Sequence, residues 1–168
     1  MREIRPPGRI KLIIGLLSRD SELFKNARVL LESLYGRVDF ESEIINFTHT
    51  TYYNEELGDS LKRKFLSFEK SPGLENIYKI KLKTNLLEGR FAHHGRRRIN
   101  IDPGYLDLSK LVLFSTKDYS HRVHLAKGIF AEVTLYYKNK TYNPWPWTYP
   151  DYGTRAYIDI FNTIRKLV

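Results

Sequence analysis

The longest apolar run in the chain is Leu12-Ile13-Ile14-Gly15-Leu16-Leu17. Six residues fall far short of the roughly 20 that a helix needs to cross a bilayer. Their length suits a buried strand, read from Ile10 to Leu17. The period then changes. Leu23, Phe24, Ala27, Leu30, Leu31 and Leu34 share one helical face, with Asp20 placed to cap the helix and Gly36 to stop it. The chain therefore starts β then α.

Val38 to Phe47 carries apolar residues on one parity and then on the other, which predicts a strand with a bulge near Ser42-Glu43. A polar loop, Thr48 to Asp59, leads to a strand from Leu61 to Phe68, closed by Ser71-Pro72-Gly73. Tyr78 to Thr84 alternates like a strand, yet Ile77, Ile80, Thr84, Leu87 and Phe91 keep helical spacing for longer, so residues 77–91 are read as helix. Arg97 to Ile101 is expected to be a strand ending at a Pro103-Gly104 turn. The order β-α-β-β-α-β predicts an α+β fold of ferredoxin-like, split-βαβ type with an antiparallel or mixed sheet. Lys110 to Thr116 adds a strand, Ile129 to Tyr137 and Lys140 to Trp145 a hairpin about Lys138-Asn139, and a last helix starts near Thr154. This second half is expected to extend the sheet or cover its open face.

With 168 residues, 42% of them hydrophobic, one substantial core is expected, and so a single domain: 1–104 as the βαββαβ core and 105–168 as its extension. Cysteine is absent, which removes disulfides and thiolate chemistry and leaves His and carboxylates as the strong metal ligands. No metal site or cofactor is assigned. Arg5 and Pro6-Pro7 precede the first strand without an apolar signal region, so a cytoplasmic, non-membrane protein is expected. The formal charge of +9 favours acidic partners. From Lys62 to Arg98 eleven Lys and Arg face only Glu69, Glu75 and Glu88, a net of +8 in one segment.

Across Asn100 to Leu106 (NIDPGYL), Ser115 to Arg122 (STKDYSHR) and Trp145 to Tyr152 (WPWTYPDY), the chain resembles an uncharacterised prokaryotic family catalogued as domain of unknown function 4416. The resemblance runs from Leu12 through the last helix and implies no activity. Members of that family are sometimes labelled GTP-binding. A P-loop needs G-x-x-x-x-G-K-[ST], whose backbone N–H groups wrap a phosphate, and that motif is absent here. Thr116-Lys117-Asp118, after the strand Leu111 to Phe114, is similar to the guanine-reading T-K-x-D motif but lacks the residue between Lys and Asp.

Five groups of residues carry potential chemistry. Lys79, Lys83 and Arg90 form a cationic stripe on the predicted helix, while Lys81 falls inside its apolar seam, where a cation must snorkel, pair or meet an anion. Lys117 and Arg122 flank a buried strand's end, where Asp118 is placed to orient His121 as a general base. The loop from Thr48 to Glu56 offers Thr50 and Tyr52 to a sugar or phosphate. Tyr142 to Tyr152 combines stiffening prolines with stacking aromatics. Strand parity sets Arg98, Asn100 and Asp102 on one polar face. Each group also has a structural reading: a solvated face, turn capping, a core plug or cross-strand ion pairs. The leading expectation is a phosphorylated small molecule or nucleotide bound by Arg98, Asn100, Asp102, Lys117, Arg122, Thr50, Tyr52 and Lys81. The alternatives are an RNA-binding module, or a hydrolase or transferase using His121 and Asp118.

Overall fold

The computed structural model describes residues 3–168, so the first two residues of the expected single domain lie outside it. The elements run β1 (Lys11–Ser18), α1 (Ser21–Tyr35), β2 (Val38–Glu41), β3 (Ile45–Asn46), α2 (Asn54–Leu57), β4 (Lys62–Phe68), α3 (Tyr78–Arg90), β5 (Asn100–Leu106), β6 (Lys110–Ser115), β7 (Val123–Ala126), β8 (Ile129–Lys138), β9 (Thr141–Pro144) and α4 (Arg155–Arg165). The fold is α+β: a mostly antiparallel, open sheet in the order β2-β4-β1-β5-β6-β8-β7, with β3 beside β4 and β9 beside β8. No helix among the described residues is long and apolar enough to cross a membrane.

The apolar run explains the layering. All eight residues of β1 are buried, because the strand lies between β4 and β5 with cores on both faces. Leu12, Ile14 and Leu16 pack with Leu23, Phe24, Ala27 and Leu31 of α1 and with Ile80 and Leu87 of α3. Ile13 points the other way, into a core made by Phe65, Leu113, Tyr152 and the Tyr157, Phe161 and Ile164 face of α4. Each fully buried side chain of this size stabilises the fold by about 1.5–3 kcal/mol relative to exposure. Asp20 caps α1 through Oδ1, which accepts from the Glu22 N–H at 3.0 Å, and the Thr154 hydroxyl caps α4.

The second predicted strand is split into β2 and β3, because Ser42 takes over the ladder. Its N–H donates to the Phe65 carbonyl at 2.9 Å, and its hydroxyl accepts from the Phe65 N–H at 2.9 Å. The following loop contains the single turn α2. The β8–β9 turn sits one residue later than expected, at Asn139-Lys140, whose φ angles of 55° and 65° are those of a tight hairpin turn.

The largest correction concerns Pro103-Gly104, which is strand and not turn. β5 continues to Leu106, pairing with β1 along its whole length but with β6 only at Gly104, Tyr105 and Leu106. Backbone groups in a strand alternate in direction, and the Asp107 N–H donates to Lys110 at the β6 side. Two-residue steps then turn the Pro103 nitrogen towards β6 as well, where it has no hydrogen to give. Beyond Gly104 the two strands part. Gly104 itself is required by close approach, since a Cβ there would lie 2.3 Å from the Val112 carbonyl oxygen.

Candidate functional site

A cleft of about 640 Å³ occupies the gap where β5 and β6 separate. It is lined from both faces of the sheet: by Lys81, Asn85 and Glu88 of α3, and by Tyr149, Asp151 and Tyr152 of the strap before α4. The loop between β3 and α2 forms its rim with His49, Thr50, Tyr52 and Tyr53.

Alternating charges build the floor. Arg63, on β4, is buried, with its guanidinium Nη1 3.4 Å from Asp102 and Nη2 3.5 Å from Asp151. Gly15 makes room for it on the neighbouring strand, since a Cβ there would lie 3.2 Å from Arg63 Nη1 and 3.1 Å from the Phe65 ring. The guanidinium also lies 5.4 Å from the Phe47 ring centroid and 5.8 Å from that of Phe65. Lys81 stands 3.5 Å from Asp102 and donates to the Ile101 carbonyl at 3.1 Å. Glu88 accepts from the Ile101 N–H at 2.7 Å and from Arg97 at 2.8 Å, and Arg97 continues the chain to Glu56.

Burial pushes the carboxyls of Asp151 and Glu88 above the usual range, against the pull of Arg63 on the first and Lys81 on the second. Glu56 moves the opposite way, because Arg97 donates to its carboxylate. Arg63 Nε and the hydroxyls of Tyr152 and Tyr157 are buried without a partner among the described residues. Of these, Arg63 and Tyr152 line the cleft, and an unmatched buried polar atom costs about 1–3 kcal/mol.

At the mouth, Arg122 is the anchor. It is buried and donates to Glu132 at 2.8 Å, to the Ser115 hydroxyl at 2.9 Å, to the Lys117 carbonyl at 3.0 Å and to the Tyr149 hydroxyl at 2.9 Å. This fixes the backbone of Lys117, whose ammonium donates to the Tyr52 hydroxyl at 2.7 Å and lies 4.4 Å from that ring's centroid. The Tyr52 bond raises the lysine above its ordinary range. Among the described residues no carboxylate pairs with Lys117.

Lys81, Asn100, Asp102, Thr50, Tyr52, Lys117 and Arg122 all line this cleft. Arg98 does not: it is exposed and bound 2.8 Å from Asp20 at the start of α1. Arg97 takes its place, because β5 begins only at Asn100 and strand parity has no meaning before that residue. Asp118 is exposed and is not the orienting group of His121. That ring is 3.2 Å from Glu132, on the adjacent strand β8, and stacks on Trp147. Lys79, Lys83 and Arg90 are exposed on α3, away from the cleft. Arg63, Asp151, Glu132 and Asn85 went unrecognised as cleft residues. The one available signal was Gly15 inside a buried apolar strand, which marks a close approach without saying by what.

Compared with known proteins, a family model described as Domain of unknown function (DUF4416) matches residues 8–167. No curated protein and no solved structure matches the chain.

Proposed function

The chain belongs to this family of unknown function, and from the chemistry of its cleft we propose that it binds a phosphorylated small molecule or nucleotide. One observation carries the reading. Of the cations lining the cleft, Arg63, Lys81, Arg97 and Arg122 are each held by a carboxylate, whereas Lys117 stands at the mouth with only a tyrosine hydroxyl. A phosphate is the natural acceptor for such an ammonium. The volume lies in the usual range of small-ligand sites, about 300–1,000 Å³. Tyr52, Tyr119 and Tyr149 offer ring faces beside it, and Asn85 offers an amide that makes no hydrogen bond among the described residues.

The reading carries a cytoplasmic location with it, since charged phosphate esters do not cross a bilayer unaided. It also treats the first four long strands as a ferredoxin-like core. The spatial order β2-β4-β1-β5, all antiparallel, with α1 and α3 on one face, supports that assignment. The C-terminal strands then supply the second wall of the cleft.

Thermal unfolding against a panel of nucleotides and sugar phosphates tests the proposal. A cognate ligand at 100 times its Kd adds about 2.7 kcal/mol, which for a chain of this size raises Tm by about 5–10 °C. Lys117→Ala, an exposed change, is expected to remove most of that rise. A panel that leaves the wild-type Tm unmoved at millimolar concentration refutes the reading.

A further inference from the structure

The chain's only two tryptophans, Trp145 and Trp147, stand side by side and in solvent. Their ring centroids are 5.1 Å apart and their planes differ by 10°. Large aromatics are ordinarily spent on burial, and here the neighbouring Tyr142 and Tyr152 are buried while the tryptophans remain 36% and 40% exposed.

The strap that carries them is nevertheless fixed along the edge of β8. The Trp147 indole N–H donates to the Val133 carbonyl at 3.1 Å, the Trp145 N–H donates to the Thr148 hydroxyl at 2.8 Å, and that hydroxyl donates to the Thr134 carbonyl at 2.5 Å. Pro144, Pro146 and Pro150 stiffen the same stretch. The strap is held in place with the two rings packed face to face and partly exposed, which lowers the ordering cost of a planar group that inserts between or beside them.

They also form part of a path. Tyr136 lies 4.4 Å from Trp145, His121 lies 5.8 Å from Trp147 at an interplanar angle of 19°, and Tyr119 lies 5.9 Å from His121. Tyr119 lines the cleft, with the Arg122 guanidinium 4.4 Å from its ring centroid. Exposed cations stand at both ends: Lys117 at the cleft, and Lys138 and Lys140 at the β8–β9 turn. Those two hairpin lysines have no carboxylate partner among the described residues.

We propose that the ligand of this cleft is the end of a single-stranded nucleic acid, whose following bases lie against the aromatic row of Trp147, Trp145 and Tyr136 and insert between its rings. The inference rests on the phosphate-binding reading of the cleft and extends it outward. Every base presents a π-face, so such a ladder holds a strand regardless of sequence, while lysines at its ends meet the phosphates. A neutral saccharide also stacks on indole rings, but it has no charge to match the cations at either end.

Because both tryptophans lie in the ladder, tryptophan emission, excited selectively over the twelve tyrosines, reports on it. Full-length protein is titrated with an oligouridine RNA and an oligothymidine DNA of about twelve nucleotides, within the usual site sizes. Quenching by either is expected, and the RNA and DNA arms show which sugar is preferred. Raising salt from about 50 to about 200 mM weakens binding roughly twentyfold if about three phosphates are engaged.

Trp145→Ala, read by anisotropy of a labelled oligonucleotide, weakens binding at least about fivefold, whereas Trp145→Phe keeps a ring face and most of the affinity. Melting curves of both variants verify that they are folded. No quenching, quenching by a neutral oligosaccharide in place of the oligonucleotides, or indifference to Trp145→Ala overturns the inference. If uridine monophosphate raises Tm through Lys117 while oligouridine binds no more tightly than the mononucleotide, the strand falls and the small-ligand reading stands. If neither binds, the strand falls, and the panel of nucleotides and sugar phosphates decides the small-ligand reading separately.

Discussion

Arg63→Met removes the cation at the centre of the cleft floor while keeping much of its volume. The side chain of Arg63 is 2% exposed, and that of Asp151, one of its two carboxylate partners, is 8% exposed. Asp102 is less affected, being 25% exposed and still near Lys81 and the Asn100 amide. The penalty therefore falls chiefly on Asp151. Removing one partner of a buried pair costs about 3–5 kcal/mol, equivalent to a Tm lower by about 6–20 °C for a chain of this size.

The pH dependence gives the mechanism its signature. Burial already raises the Asp151 carboxyl above its unfolded value of about 3.9 despite Arg63, and loss of the guanidinium raises it further. A carboxyl raised in the folded state opposes folding at pH values above its folded pKa. The penalty fades as pH falls through that pKa towards the unfolded value. Urea unfolding followed by circular dichroism, from about pH 7 to about pH 4.5, should show the variant's deficit shrinking as pH falls. Adding Asp151→Asn should recover more than about 1 kcal/mol at neutral pH, a coupling expected of residues in contact. A deficit under about 1 kcal/mol at pH 7, or one that does not change with pH, would refute the placement of Asp151 against Arg63.

Four further changes probe the neighbouring features. Gly104→Ala should destabilise the protein by at least about 1–3 kcal/mol in urea unfolding, because its Cβ meets the Val112 carbonyl oxygen at 2.3 Å. Glu132→Gln strips the buried Arg122 of its carboxylate and should cost about 3–5 kcal/mol, whereas Asp118→Asn, at an exposed position, should stay within about 0.5 kcal/mol. Tyr52→Phe removes the hydroxyl that accepts from Lys117. It should leave Tm within about 2 °C, as surface changes do, and alter the affinity of whichever phosphate compound stabilises the wild type.

The local pattern of the chain was readable, and its pairings were not. Helical spacing placed α1, α3 and α4, and put Lys81 in the buried seam of α3, where it is found together with Glu88. Parity on β5 correctly grouped Asn100 with Asp102, since both belong to regular strand. It failed for Arg97 and Arg98, which lie before the strand begins. Pro103-Gly104 has the composition of a turn, yet a proline is tolerated where its nitrogen faces a gap, and the gap depends on where β6 lies. Asp118 is near His121 in sequence, while Glu132 reaches it from the adjacent strand. Arg63 drew no notice because its surroundings come from β1, β5 and the strap before α4, remote segments that meet only after the sheet is assembled.

The parting of β5 and β6 also has a mechanical meaning. Each of the β1–β4, β1–β5 and β6–β8 ladders is twice or more as long as the three rungs, Gly104–Leu113, Tyr105–Val112 and Leu106–Leu111, that stitch the first five strands to the rest of the sheet. Under load, or in the slow breathing that exchanges amide hydrogens, this seam is where the two halves of the sheet come apart. A molecule seated in the gap, touching Asp102 on one side and Lys117 on the other, acts as a rivet across it. Occupancy should then appear as slower exchange at Tyr105 and Val112, a reading of binding taken from the backbone itself.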